Sequence, residues 1–192
     1  MERNLSVRLA ILLWILILVG CSSGKSDGTE FHTPPSYQGI VPGQTTEEEV
    51  LSILGEPEQT SVSTIDEVRY WEYHSLRVVI AFPLENQVVS WIFIEDQTNT
   101  LGEVVSRYGE PELTMMTSSL RECPSYEYAL TRLDYPKYGV SAITWNIPPL
   151  SRDMILTDLL YFEPMTLEAY FEQFGPLTGC DKVIEWPGFE SP

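Results

Sequence analysis

Apolar residues recur with three different periods along this chain. Leu9 to Val19 is an unbroken apolar run of 11 residues. From Thr46 and again from Thr100 the apolar positions follow a helical period, with Val50, Ile53 and Leu54 on one face and Val104 and Tyr108 on the equivalent one. Between these segments the period drops to two. Glu58–Ser63, Val68–Tyr73, Leu76–Phe82 and Val88–Ile94 are short, β-branched and aromatic, and turn-forming residues bound them. Glu112–Thr117, Tyr126–Asp134, Gly139–Trp145 and Ile155–Phe162 predict a second set of four.

The helical segments share their ends as well as their faces. Gly-Glu-Pro-Glu at positions 55–58 recurs 54 residues later at 109–112, and aligning the two places Thr46 on Thr100, Glu49 on Glu103 and Pro57 on Pro111. Thr-x-x-Glu ahead of an apolar-periodic segment predicts a capping box, in which the threonine hydroxyl accepts from the third helical amide and the glutamate reaches back. Gly55 and Gly109 then stand where a left-handed residue ends a helix, and Pro57 and Pro111 keep it from resuming. On this reading the intervening glutamates are solvated turn residues. A weaker third copy runs from Thr166 to Gly175 and Pro176, with Ala169 in place of the capping glutamate. The fold class expected is α+β: two tandem units of a helix plus a four-stranded antiparallel sheet, residues 39–97 and 98–163, with a truncated third helix and tail over 164–192.

The N-terminal run has a different meaning. Arg3 and Arg8 precede it and Leu18-Val19-Gly20-Cys21 closes it. At about 1.5 Å per residue it reaches only about half of a hydrocarbon core, so it reads as a signal-peptide core. The closing tetrapeptide resembles the lipobox of bacterial lipoproteins. That resemblance implies cleavage after residue 20, acyl chains on Cys21 and an extracytoplasmic protein anchored in a membrane, the outer one if the organism has one. An ordinary secretory leader or an uncleaved anchor is the other reading of the same run. Residues 21–38 carry Ser, Gly and Pro without an apolar period and read as a flexible spacer. A formal charge of −17 repels nucleic acid, so no nucleic-acid partner is expected. The remaining Cys123 and Cys180 form a disulfide in an oxidising compartment or stay free thiols in a reducing one.

Residues 40–57, from Ile40-Val41-Pro42-Gly43 through Thr46, Glu49, Val50, Leu54 and Gly55 to Pro57, resemble the Gly-x-Thr/Ser-x-x-Glu-Val-x-x-x-Leu-Gly-x-Pro segment of SmpA/OmlA (BamE-like) lipoproteins. That family implies a small α+β protein behind a lipobox that supports outer-membrane protein assembly. Doubling of the unit is similar to the architecture of the β-lactamase-inhibitor protein, in which paired helix-on-sheet repeats present a protein-binding face.

Material for catalysis is sparse. His32 falls in the spacer and His74 in a turn, and the chain has no metal-ligand, nucleophile-elbow or phosphate-loop spacing. No catalytic residue, metal site or cofactor is expected. Aromatic residues are the surplus: Trp71, Tyr73, Trp91, Phe93, Tyr126, Tyr128, Tyr138, Trp145, Tyr161 and Phe162 fall on predicted strands. Alternation puts one set in the core and turns another outward, with Tyr70, Glu72 and Tyr73 as the exposed group, and such residues dominate protein interfaces and stack on sugars. The function expected is a non-enzymatic interaction module for an envelope protein, with a cell-wall carbohydrate or small-ligand binding module as the alternative.

Overall fold

The computed structural model describes residues 32–118, 128–174 and 182–190. Helix α1 spans Glu47–Leu54 and α2 Leu101–Tyr108. Each is eight residues, too short to be stable alone, so its ends and its buried face must hold it. At α1 the Thr46 amide donates to Glu49 Oε2 at 2.8 Å and the Glu49 amide to Thr46 Oγ1 at 3.3 Å. At α2 the Thr100 amide donates to Glu103 Oε2 at 2.7 Å and the Glu103 amide to Thr100 Oγ1 at 3.3 Å. Gly55 (φ 80°, ψ −166°) and Gly109 (φ 84°, ψ −161°) stop both helices. With ψ extended, this is not the left-handed helical conformation but a region open essentially to glycine alone.

The strands are β1 (Gln59–Ser63), β2 (Val68–Tyr73), β3 (Val78–Pro83), β4 (Trp91–Glu95), β5 (Leu113–Ser118), β6 (Tyr128–Tyr135), β7 (Val140–Thr144), β8 (Asp158–Phe162) and β9 (Lys182–Ile184). They form one antiparallel sheet in the order β1-β2-β3-β4-β8-β7-β6-β5-β9. This overturns the expected fold class. There are not two helix-plus-four-strand units but one nine-stranded sheet, because β4 pairs with β8 from Trp91↔Phe162 through Glu95↔Asp158. Left apart, Trp-Ile-Phe-Ile-Glu and Asp-Leu-Leu-Tyr-Phe would each be an apolar edge, and joining them removes both.

The helices divide between the two faces. α1 and α2 lie on one face: Val50 of α1 packs with Trp71, Tyr73, Ile80, Phe82 and Ile92, and Leu101 and Val104 of α2 with Leu133, Tyr135, Val140 and Leu159. α3 (Leu167–Phe174) is as long as the others, so it is not a truncated copy, and it covers Leu113, Met115 and Phe162 on the opposite face through Tyr170. Tyr73, expected outside, is 2% exposed, because its odd-numbered position on β2 faces α1. Its hydroxyl donates to the Gly55 carbonyl at 3.0 Å, and burial, then the charge of Glu56, pushes its pKa up to about 12. The tail holds a ninth strand that the sequence pattern does not predict. Trp145 lies just past β7 and is 57% exposed.

The second glutamate of each Gly-Glu-Pro-Glu is not a free turn charge. Glu58 Oε1 accepts from the Ser75 amide at 3.0 Å, and Glu112 Oε1 accepts from the Lys137 amide at 3.4 Å. Those amides belong to 3₁₀ turns at His74–Leu76, between β2 and β3, and Pro136–Tyr138, between β6 and β7, so each glutamate ties its helix exit to the second strand connection that follows it. The bonds to Ser75 hold the Glu58 carboxyl below its ordinary pKa.

Candidate functional site

Strand alternation sends Tyr70 of β2, Trp91 and Phe93 of β4, Ile143 of β7 and Leu160 of β8 to the face opposite α1 and α2. α3 covers only the β5 to β8 side of that face, and its last residues, Gln173 and Phe174, form a wall where coverage stops. The result is a cleft of about 1020 Å³ with an apolar and aromatic floor. Tyr70 and Trp91 stand side by side with ring centroids 5.7 Å apart and a 53° tilt. Asp66 and Glu67 of the β1–β2 turn and Glu85 after β3 line the opposite rim. Burial, and secondly the Asp66 carboxylate, push the Tyr70 hydroxyl above its ordinary pKa.

Arg132 lies at the covered end of this cleft. Its Nε is 3.0 and 3.1 Å from the two Asp134 carboxylate oxygens, its Nη2 donates to the Phe174 carbonyl at 3.4 Å, and its guanidinium sits 5.8 Å from the Tyr170 ring centroid. It thereby ties the C-terminal end of α3 to β6. Asp134 and Ser141 are fully buried beneath α3, as is the Tyr170 side chain of the helix itself, with 3.0 Å between the Ser141 and Tyr170 hydroxyl oxygens. Burial pushes the Asp134 carboxyl up, against the pull of the Arg132 charge and of hydrogen bonds from Ser141 and Tyr170. Serine, tyrosine, aspartate and arginine side by side have catalytic chemistry, but three of the four have no surface that a substrate can reach. The cluster holds α3 to the sheet. Sequence reasoning missed it, although Arg132 and Asp134 two apart on one strand face among apolar residues are the signal of a buried pair.

Thr46, Glu49, Gly55 and Pro57, and likewise Thr100, Glu103, Gly109 and Pro111, lie at the ends of α1 and α2, and none lines the aromatic cleft. Thr100 and Glu103 do border a second hollow of about 800 Å³ beside α2, with Arg107, Tyr108, Arg152 and Tyr161. Its aromatic lining is Tyr108 and Tyr161, against Tyr70, Trp91, Phe93 and Phe174 in the cleft. Of the exposed group expected around β2, Tyr70 reaches the cleft, whereas Glu72 accepts from the Ser61 hydroxyl at 3.2 Å. His32 stacks on Tyr138 at 4.0 Å between centroids, and His74 Nε2 is 3.8 Å from Glu72. Among the described residues no group of three or more His, Cys, Asp or Glu side chains is placed to hold a metal. Cys21, Cys123, Cys180, Tyr126, Gly175 and Pro176 lie outside the described residues.

No family model matches this chain. No curated protein matches it either. Among solved structures, the chain is similar to a DUF4309 family protein (YjgB) from Bacillus subtilis subsp. subtilis str. 168, at 12% identity over 70% of this chain and 90% of that one, with a TM-score of 0.42.

Proposed function

We propose that this chain is a lipid-anchored, extracytoplasmic, non-enzymatic binding protein that holds an envelope protein in the cleft beside α3. The observation that carries this reading is the half-covered sheet face itself. A nine-stranded sheet buries one face under two helices and half of the other under a third, and the part left open is the aromatic part. Aromatic side chains bordered by charges are the composition of energetically dominant interface patches, since they bury a large area for few rotatable bonds. The acidic rim favours a partner whose contacting surface is basic.

The adjoining Tyr70 and Trp91 rings favour a second reading, stacking on a cell-wall sugar. A photo-crosslinking side chain at position 93 in the native host separates the two. A protein adduct that disappears with Trp91→Ala supports the protein partner. Absence of any protein adduct, with saturable quenching of tryptophan fluorescence by wall fragments, replaces it with the sugar.

A further inference from the structure

The edges of the sheet are treated differently. β5 follows Gly109-Glu110-Pro111-Glu112 as β1 follows Gly55-Glu56-Pro57-Glu58. The outer edge of β5 is occupied by β9, through Thr114↔Ile184, Met115↔Val183 and Met116↔Lys182. The 54-residue offset makes Thr60, Ser61 and Val62 the counterparts of those three β5 residues, yet among the described residues nothing pairs with the outer edge of β1.

An open edge carries a row of unpaired amides and carbonyls, and proteins ordinarily blunt it with charge, proline, a bulge or brevity. β1 has none of these. Gln-Thr-Ser-Val-Ser is five residues without charge or proline, and its register with β2 runs unbroken from Gln59↔Glu72 to Ser63↔Val68. Its serine hydroxyls are already engaged, Ser61 with Glu72 at 3.2 Å and Ser63 with Asp66 at 2.7 Å. What β1 offers outward is backbone, with Val62 at 56% and Ile65 at 92% exposure beside it.

We infer that β1 is a strand-addition site for an extended, antiparallel segment of a partner protein, with β-branched side chains at its centre and lysine or arginine at its ends. β9 supplies the template for the centre: Lys182-Val183-Ile184 is what this sheet accepts on the equivalent edge. Charge supplies the ends. Glu56 and Glu58 precede β1, and Asp66 and Glu67 follow it. Antiparallel pairing of β1 with a second copy of itself brings the acidic end of each strand beside the acidic end of the other, which disfavours a homodimer and favours a basic segment. Main-chain bonds then supply affinity and the flanking charges select the partner, as in other cases of strand addition. The site is separate from the aromatic cleft, none of whose lining residues belongs to β1.

Amide hydrogen exchange on the full chain in detergent tests this with two synthetic peptides, Lys-Lys-Val-Thr-Val-Ile-Lys-Lys and the same sequence with glutamate for lysine. The lysine peptide is expected to slow exchange in residues 59–63 about tenfold or more, and the glutamate peptide to leave it unchanged. Val62→Lys, at an exposed position, should weaken the lysine peptide about tenfold without moving the melting temperature. No protection by either peptide at millimolar concentration overturns the inference. Protection before any peptide is added also overturns it, assigning the edge to a second copy if it grows with protein concentration and to the chain's own remaining residues if it does not.

Discussion

β1 and β5 leave the same Gly-Glu-Pro-Glu turn, 54 residues apart, and arrive in opposite surroundings. Leu113, Thr114 and Met115 of β5 are 6% exposed or less, covered by α3 on one face and flanked by β9 at the edge. Among the described residues β1 has neither, and Gln59, Thr60 and Val62 are all exposed. The local grammar of the two segments is the same; what differs is that the last part of the chain wraps one half of the sheet and not the other. An element's exposure is thus decided by chain beyond its own boundaries, and the half left bare carries both the aromatic cleft and the open edge.

The comparison breaks most visibly at Tyr170 and Trp91. Tyr170 is fully buried, rests 5.3 Å from both Phe162 and Phe174 by ring centroid, and shares a hydrogen bond with Ser141. Tyr170→Ala should lower stability by about 3–5 kcal/mol, as for other buried aromatic truncations. Trp91, half-buried in the cleft floor, should lose only about 1 kcal/mol as alanine. Urea unfolding of the two variants checks this, and equal losses would mean that the bare half is as tightly packed as the covered one.

A smaller and equal effect is expected where the two regions agree. A Cβ added at Gly55 or at Gly109 meets nothing within 4 Å, so alanine there reports backbone strain without a clash. Each substitution should remove about 1–3 kcal/mol. The two losses should match within a few tenths of a kcal/mol, since φ and ψ differ by no more than a few degrees. Thermal melts of both variants measure it. A loss confined to one of them would show that the two turns only look alike in sequence.

Helix limits were readable because they are local. A threonine, a glutamate three residues on and a glycine at the far end specify α1 and α2 within ten residues, and the capping hydrogen bonds run between that same threonine and glutamate. Most strands were readable by alternation, although β4 begins at Trp91 rather than Val88, which only bridges Thr46. The sheet order was not readable. Pairing of β4 with β8 joins residues 63 to 71 positions apart, and no local period records which edge meets which. β9 was invisible for the same reason: three residues have no period, and Lys-Val-Ile becomes a strand only against β5. The cleft was half legible. Trp91 and Phe93 stood out by type, whereas their exposure depends on where α3 stops.

The smallest effect expected concerns two carboxyls that respond to pH in opposite directions, one in each region. Asp96 follows β4, and burial raises its pKa, but amide and side-chain hydrogen bonds from Thr98 and Asn99 outweigh that and bring it below its ordinary value. The folded state therefore binds that proton less readily than the unfolded one, so the stability from Asp96 is present above the unfolded value of about 3.9 and lost as pH falls through the lower folded value. Asp134, under α3, is pushed up by burial. Its contribution has the opposite sign, present below the unfolded value and lost as pH rises through the raised one. Urea midpoints taken across the acid range should show Asp96→Asn removing part of the rise in stability with pH. Asp134→Asn should remove part of the fall at higher pH, whatever it does to the absolute midpoint by leaving Arg132 beside a neutral group. If Asp134→Asn instead steepened that fall, the Arg132 charge would dominate over burial, and α3 would be held down by an ion pair that strengthens with pH.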